Sequence, residues 1–423
     1  MPTPAPHKQP HQTQWEKVKL GDIAEIDPKE KIKKGVKAKK ISMGDIIPFY
    51  KFAKFSSFEN FKSGSKFRNG DILLAKITPC LENGKTAFVD CLEKDEVAFG
   101  SSEFIVFRAT KMTDSHFLYY TLTAPNFRKT AIQSMTGTSG RKRVQNNIIT
   151  QYQIPLPPLP TQENIAQVLS MLDKKIELNT RINTELEALA KLLYTRYFVE
   201  YNFPDSSGKP YKASGGAMVY DPTLKREIPQ DWEVAKIGDL CSIQSGFAFS
   251  TKDFSSQGIY KLITIKNVKD GFISIDTDNK ILMLPTKLPT FCRLKKGDIL
   301  LSLTGNVGRV GMVWDTDLLL NQRVGIIQEK EANKSFLYCL FRSEIMKTTL
   351  ENLASGTSQH NLSPILTEKL WTLKPKKEIL NKFHNEVSTI LESILTNQQE
   401  SQRLAEWRDY LLPLLMGDQA EVV

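Results

Sequence analysis

An α+β fold is predicted, with two similar globular halves joined by two long helices that pair as a coiled coil. Three features of the 423-residue sequence predict it. A series of motifs occurs twice. Each copy carries short apolar-aromatic runs entered through Gly-Asp turns. Each copy then continues into a heptad-patterned segment.

The duplication is explicit. Trp15-Glu-Lys-Val-Lys-Leu-Gly-Asp-Ile-Ala-Glu-Ile26 returns as Trp232-Glu-Val-Ala-Lys-Ile-Gly-Asp-Leu-Cys-Ser-Ile243. Phe67 to Leu74 returns as Leu294 to Leu301, Phe117-Leu-Tyr119 as Phe336-Leu-Tyr338, and Gly137-Thr-Ser139 as Gly356-Thr-Ser358. The offset stays between 217 and 227 residues, too long for a solenoid repeat. The expected boundaries are a disordered tail (1–14), a first globular domain (15–153), a first long helix (154–200) and an irregular Pro/Gly-rich connector (201–230). A second globular domain (231–372), a second long helix (373–416) and a short tail (417–423) follow.

Within the domains, Asp71–Ile77, Glu103–Phe107, Asp298–Leu303 and Arg323–Ile327 read as strands, and Phe117–Met135 and Phe336–Leu353 as helices. The run Ile154-Pro-Leu-Pro-Pro-Leu-Pro160 can be neither helix nor central strand, and Thr161 is the expected N-cap of the first long helix. Val168, Leu172, Lys175, Asn179, Ile182, Leu186, Leu189 and Leu193 then follow at spacings of four and three. Phe383, Val387, Ile390, Ile394, Asn397, Ser401, Leu404, Arg408, Leu411 and Leu415 repeat the rhythm. A single amphipathic helix lying on a domain gives the same period. Two copies in one chain, each with a lone Asn on its seam, favour mutual pairing, with Asn179 and Asn397 fixing the register. About 35 residues span roughly 50 Å, the length of a ruler between two heads.

The 57 Lys and Arg exceed the 47 Asp and Glu, a surplus of 10 positive charges that suits a polyanionic partner. The five cysteines (Cys80, Cys91, Cys241, Cys292, Cys339) form no C-x-x-C pair and suggest neither a disulfide frame nor a zinc site. No run approaches transmembrane length and the start lacks a secretory pattern, so a cytoplasmic, membrane-free protein is expected. Catalytic motifs fail together. Asn83-Gly-Lys-Thr86 ends like a phosphate loop, but Pro79 stands where its first glycine belongs. Gly305, Gly308 and Gly311 do not match the dinucleotide fingerprint. The only Pro-Pro lacks the polar and aromatic neighbours of an amino-methyltransferase, and neither Glu227 nor Glu233 has a nuclease lysine two positions on. The chain reads as non-catalytic, with no cofactor or metal of its own.

Nucleic acid is the partner suggested positively. Lys29 to Lys40 holds seven lysines in twelve residues, which a solvated face also explains. In the first copy Met135 to Val144 combines Thr138 and Ser139 with Arg141, Lys142 and Arg143, small hydroxyls and bidentate donors suited to phosphate and base edges. The second copy keeps Thr357 and Ser358 but continues Gln359-His360-Asn361, side chains that suit adenine where Arg suits guanine. The other candidate DNA contacts lie on loops next to strands. In copy one they are Lys76, Thr78, Asn83, Lys85, Ser101 and Ser102. In copy two they are Ser245, Phe247, Thr304, Asn306 and Arg309, with Asn321, Gln322 and Arg323 beside them.

In its order of parts the sequence resembles the specificity subunits of Type I restriction–modification systems. The resemblance is carried by Trp15–Ile26 and its repeat, Gly70–Lys85, Gly100-Ser-Ser-Glu-Phe104, Met135–Val144 and Ile154–Leu159, and covers roughly residues 15 to 416. It implies two target-recognition domains, each reading half of a bipartite double-stranded DNA site, with the two long helices as an antiparallel coiled-coil spacer. It implies no catalysis in this chain. It also implies two methyltransferase partners that use S-adenosylmethionine, with restriction subunits in the full complex. The apolar end of the second helix, Trp407 to Leu415, is an alternative docking face for a methyltransferase.

Overall fold

The computed structural model describes residues 15–138, 140–355 and 360–417. The tail 1–14 and all but Gly417 of the tail 417–423 lie outside them. The chain divides into two compact units: Met1–Leu178 with Ser401–Val423, and Asn179–Glu400. Each long helix therefore contributes to both.

In unit 1 an antiparallel four-stranded sheet runs in the order Ala24–Ile26, Phe104–Ala109, Ile72–Ala75, Thr86–Phe88. Its middle strands are buried on both faces, with Ile72, Leu73, Leu74 and Ala75 all fully enclosed. Side chains alternate across a strand, so one sequence run serves two cores. Ile72, Leu74, Ile105 and Phe107 pack with Phe117, Leu118 and Leu122 of the helix Ser115–Thr123. Leu73, Phe104 and Val106 face Ile41, Phe67 and Ala98 of a second four-stranded sheet. The strand Glu16–Lys19 pairs with Gln153–Leu156, so the beginning and end of the head clasp each other.

Unit 2 repeats the plan. Cys241–Ser245, Val324–Glu329, Ile299–Ser302 and Val310–Met312 form the matching antiparallel sheet, and Glu233–Lys236 clasps Trp371–Lys374. The repeated Gly-Asp element has one local cause in both units. Gly70 (φ +87°) and Gly297 (φ +86°) make the left-handed turn before the strand. The next residue then turns its carboxylate back: Asp71 accepts from the Arg68 N–H at 2.8 Å, and Asp298 from that of Lys295 at 2.7 Å.

Several expected elements differ. Phe117–Met135 is two helices, Ser115–Thr123 and Pro125–Gln133, because Pro125 cannot continue a helix and starts a new one. Phe336–Leu353 breaks likewise at Ser343, between Lys334–Arg342 and Glu344–Ser355. The first long helix, Leu159–Tyr194, begins before Thr161, since Pro160 sits in the first turn where no backbone donor is needed. The stretch 201–230, read as irregular, holds the hairpin Met218–Asp221/Arg226–Pro229 and belongs to unit 2. Phe203 there stacks on both Tyr211 and Trp232.

The long helices lie antiparallel within each unit. In unit 2, Asn183 Nδ2 donates to the Ile394 carbonyl at 3.2 Å, and Phe198 packs edge-on against Phe383. In unit 1, Ile165, Ala166 and Leu169 share a core with Leu412 and Leu415. The seam expected on the second helix is at least half-buried throughout. On the first helix three of its eight positions move by one residue. Lys175, Ile182 and Leu189 are exposed, and Ile176, Asn183 and Ala190 turn inward instead. Exposed Met171, Leu178 and Leu192 explain the difference, because apolar side chains on both faces blur the heptad.

A buried polar network ties four segments of unit 1. Lys51, 1% exposed, donates to Ser170 Oγ (2.7 Å) and Tyr120 Oη (3.1 Å), and Tyr120 donates to Asp173. Arg408 Nη1 donates to Asp173 Oδ1 (2.8 Å) and to the Phe49 carbonyl (3.2 Å). Arg408→Met leaves the Asp173 carboxylate, its side chain 3% exposed, without its guanidinium. It is expected to lower unfolding free energy by about 3–5 kcal/mol in urea titration. Burial pushes the Lys51 ammonium down to about 8. Its folded value lies below its unfolded one, so the penalty for charging it is fully present below pH 8 and fades as pH rises from about 8 to 10.5. Wild type should therefore gain stability relative to Lys51→Met across that window.

Candidate nucleic-acid interface

The candidate loops of unit 1 converge where the buried strand Ile72–Ala75 ends. The Lys76 N–H donates to the Glu103 carbonyl at 2.9 Å, and the Lys76 carbonyl accepts from the Val144 N–H at 2.9 Å. The Thr78 N–H donates to the Lys142 carbonyl at 3.1 Å, and Thr136 and Arg143 exchange both backbone bonds. Lys76, Thr78, Ser101, Ser102, Arg141, Lys142 and Arg143 thus stand around one junction. Thr138, Arg141 and Lys142 are exposed there. Lys85 is drawn away, donating to the Met43 carbonyl at 2.6 Å, while Asn83 is exposed on the same loop. Ser101 Oγ is used in its own turn, accepting from the Glu103 N–H.

Unit 2 builds the same junction from different residues. The Leu303 N–H donates to the Arg323 carbonyl (3.1 Å), and the Leu303 carbonyl accepts from the Leu362 N–H (2.8 Å). A bridge between Thr304 and Asn361 stands where Ile77 and Arg143 bridge in unit 1. Gln322, Arg323, Asn306, His360 and Asn361 are exposed, while Thr304, Arg309 and Asn321 are half-buried. Ser245 ends its strand exposed. Phe247 instead packs against the core, edge-on to Phe249. Ser139, Thr357, Ser358 and Gln359 lie outside the described residues.

Two features of these surfaces are not evident from the sequence. Glu103 takes Arg143 in a bidentate pair, Nη2–Oε1 2.6 Å and Nε–Oε2 3.0 Å, and those hydrogen bonds hold its carboxyl below the usual range. Its only signal was its place beside Ser101-Ser102. The lysine run also divides. Lys29, Lys31, Lys33, Lys34 and Lys37 are exposed, but Lys39 is buried against Glu96 (3.0 Å) and Lys40 is paired with Glu59 (2.9 Å).

On the expected register residues, Asn179 is fully buried. Its Nδ2 donates to Glu400 Oε2 at 2.7 Å and lies 3.5 Å from the Asn397 carbonyl. Asn397 Nδ2 donates to Asn183 Oδ1 at 2.8 Å. Among the described residues no group of three His, Cys, Asp or Glu side chains could hold a metal ion, and no helix is long and apolar enough to cross a membrane.

The two units define a protein of duplicated α+β domains, in which different loop side chains are carried on the same backbone junction. The family model described as Type I restriction modification DNA specificity domain matches residues 12–188 and 229–370, and the chain belongs to that family. It is 30% identical over 329 residues to the Type I restriction enzyme MjaVIII specificity subunit of Methanocaldococcus jannaschii, covering 74% of this chain and 72% of that one. It is 24% identical to the HindI specificity subunit of Haemophilus influenzae, covering 95% and 99%. The crystal structure of a Type I restriction-modification S subunit from M. genitalium shares the fold, with a TM-score of 0.53 at 15% identity over 97% of both chains. The chain is thus a specificity subunit, the DNA-recognition component of a Type I system and not its catalyst.

The loop geometry can be tested alone. Gly137 has φ +137°, and a Cβ there would lie 2.9 Å from the Arg141 carbonyl oxygen. Gly137→Ala is expected to strain the loop by about 1–3 kcal/mol. Amide exchange should accelerate at Thr136 and Arg143 and stay unchanged in the buried strand Ile72–Ala75.

Proposed function

We propose that each unit reads one half of an asymmetric bipartite duplex site and that the chain presents this site to adenine-methylating partner subunits. The observation that carries the proposal is the duplicated junction. Main-chain bonds hold the loops in the same way in both units, while the exposed side chains differ. Arg141-Lys142-Arg143 against His360-Asn361 gives one half guanidinium and ammonium donors and the other imidazole and amide groups, which favour different base edges. Lys76, Thr78, Arg141, Lys142 and Arg143 are the contacts of unit 1, and Thr304, Asn306, Arg309, Gln322, Arg323, His360 and Asn361 those of unit 2.

The helix pair sets the gap between the half-sites, with Asn179 and Asn397 as its register. The exposed apolar side chains Met171, Leu178, Trp407 and Tyr410 of unit 1 suit a methyltransferase docking face. Two methyltransferase subunits, and restriction subunits in the full complex, follow from the family.

Mapping N6-methyladenine in the host with and without this gene tests the reading. Loss of one interrupted motif is expected, and an unchanged map in a host with active partners overturns it. Exchanging residues 15–153 for another head should change one half-site only. A heptad inserted in both helices should widen the gap by about 3 base pairs, since seven residues rise about 10 Å against 3.4 Å per pair. Arg141→Ala with Lys142→Ala should flatten the salt dependence of binding, by a slope of about 0.9 for each phosphate that is no longer neutralised.

A further inference from the structure

Glu103 and Arg323 occupy the same place in the duplicated junction, since each offers its carbonyl to the residue that ends the central strand, Lys76 or Leu303. Arg143 and Asn361 likewise correspond through their bridges to Ile77 and Thr304. The chemistry at this pair of positions is exchanged between the units. Unit 1 has a carboxylate facing a guanidinium, and unit 2 carries Arg323 and Asn361 at the same two positions.

The ion pair of unit 1 is not needed to build the junction. Unit 2 forms the same main-chain bonds, and among the described residues Arg323 makes no ion pair. Nor does it add much stability, because both side chains are partly exposed, 49% for Arg143 and 26% for Glu103. What the pair does is orient. Glu103 engages two of the five guanidinium N–H donors, fixes the plane, and leaves the other three for a ligand.

We propose that Glu103 is a positioning residue that aims Arg143 at a guanine edge, and that the replacement of this Glu–Arg pair by Arg323 and Asn361 in unit 2 makes the two half-sites differ at the equivalent base pair. This rests on unit 1 being a base reader.

The full chain assembled with its methyltransferase subunits is tested by methylation mapping and by competition among duplexes varied one base pair at a time. Glu103→Gln is expected to lose on the order of tenfold discrimination at one base pair of one half-site. That pair should be the one altered by Arg143→Gln, with the other half and the melting temperature unchanged, and Glu103→Asp should restore part of the discrimination. The proposal is overturned if Glu103→Gln keeps full discrimination, weakens all duplexes equally, or alters both halves. A wild-type complex with no bipartite preference would overturn the parent reading and this proposal with it.

Discussion

A strand buried on both faces constrains everything around it. Ile72–Ala75 and Ile299–Ser302 each sit at the centre of their sheet with every side chain enclosed. A polar group buried along them needs a partner within the fold, as Ser302 finds in the Thr304 carbonyl at 3.4 Å. The candidate contact side chains stand instead at the strand ends, where the backbone leaves the sheet and Lys76 or Leu303 gathers two other segments by main-chain bonds.

Because that gathering uses N–H and C=O groups, it is indifferent to side-chain identity. The junction can keep its shape while its exposed residues change from Arg141-Lys142-Arg143 to His360-Asn361. Residues that hold the fold and residues that face solvent are separated at the level of single atoms. Asp71 and Asp298 show the complementary case, in which a side chain bonded to backbone fixes the turn and is retained in both copies.

The duplication, the α+β class, the long helices and the strands were legible in the sequence because each depends on local pattern or on exact repetition. Their limits were harder to read. Pro125 and Ser343 each split one periodic run into two helices, and apolar side chains on both faces of the first long helix hid the inward turn of Asn183 and Ala190. Of the candidate site, the sequence identified the loops through their Gly, Ser, Thr and basic composition. It could not reveal that Lys85 is tied to Met43, that Phe247 belongs to the core, or that Glu103 holds Arg143. Those are pairings between residues tens of positions apart. Lys51, Tyr120, Asp173 and Arg408 were equally silent, since a buried polar network has no periodicity.

That network also orders events in time. Asp173 is made early in synthesis, but the guanidinium that neutralises it belongs to Arg408, near the far end of the chain. Leu412 and Leu415, which share the core of Ile165 and Leu169, arrive later still. Unit 2 holds all its parts within Asn179–Glu400. The unit begun first on the ribosome is consequently the last that can be finished. A chain released short of Arg408 would hold the parts of one complete unit and leave the other with an open core and an Asp173 carboxylate lacking its guanidinium.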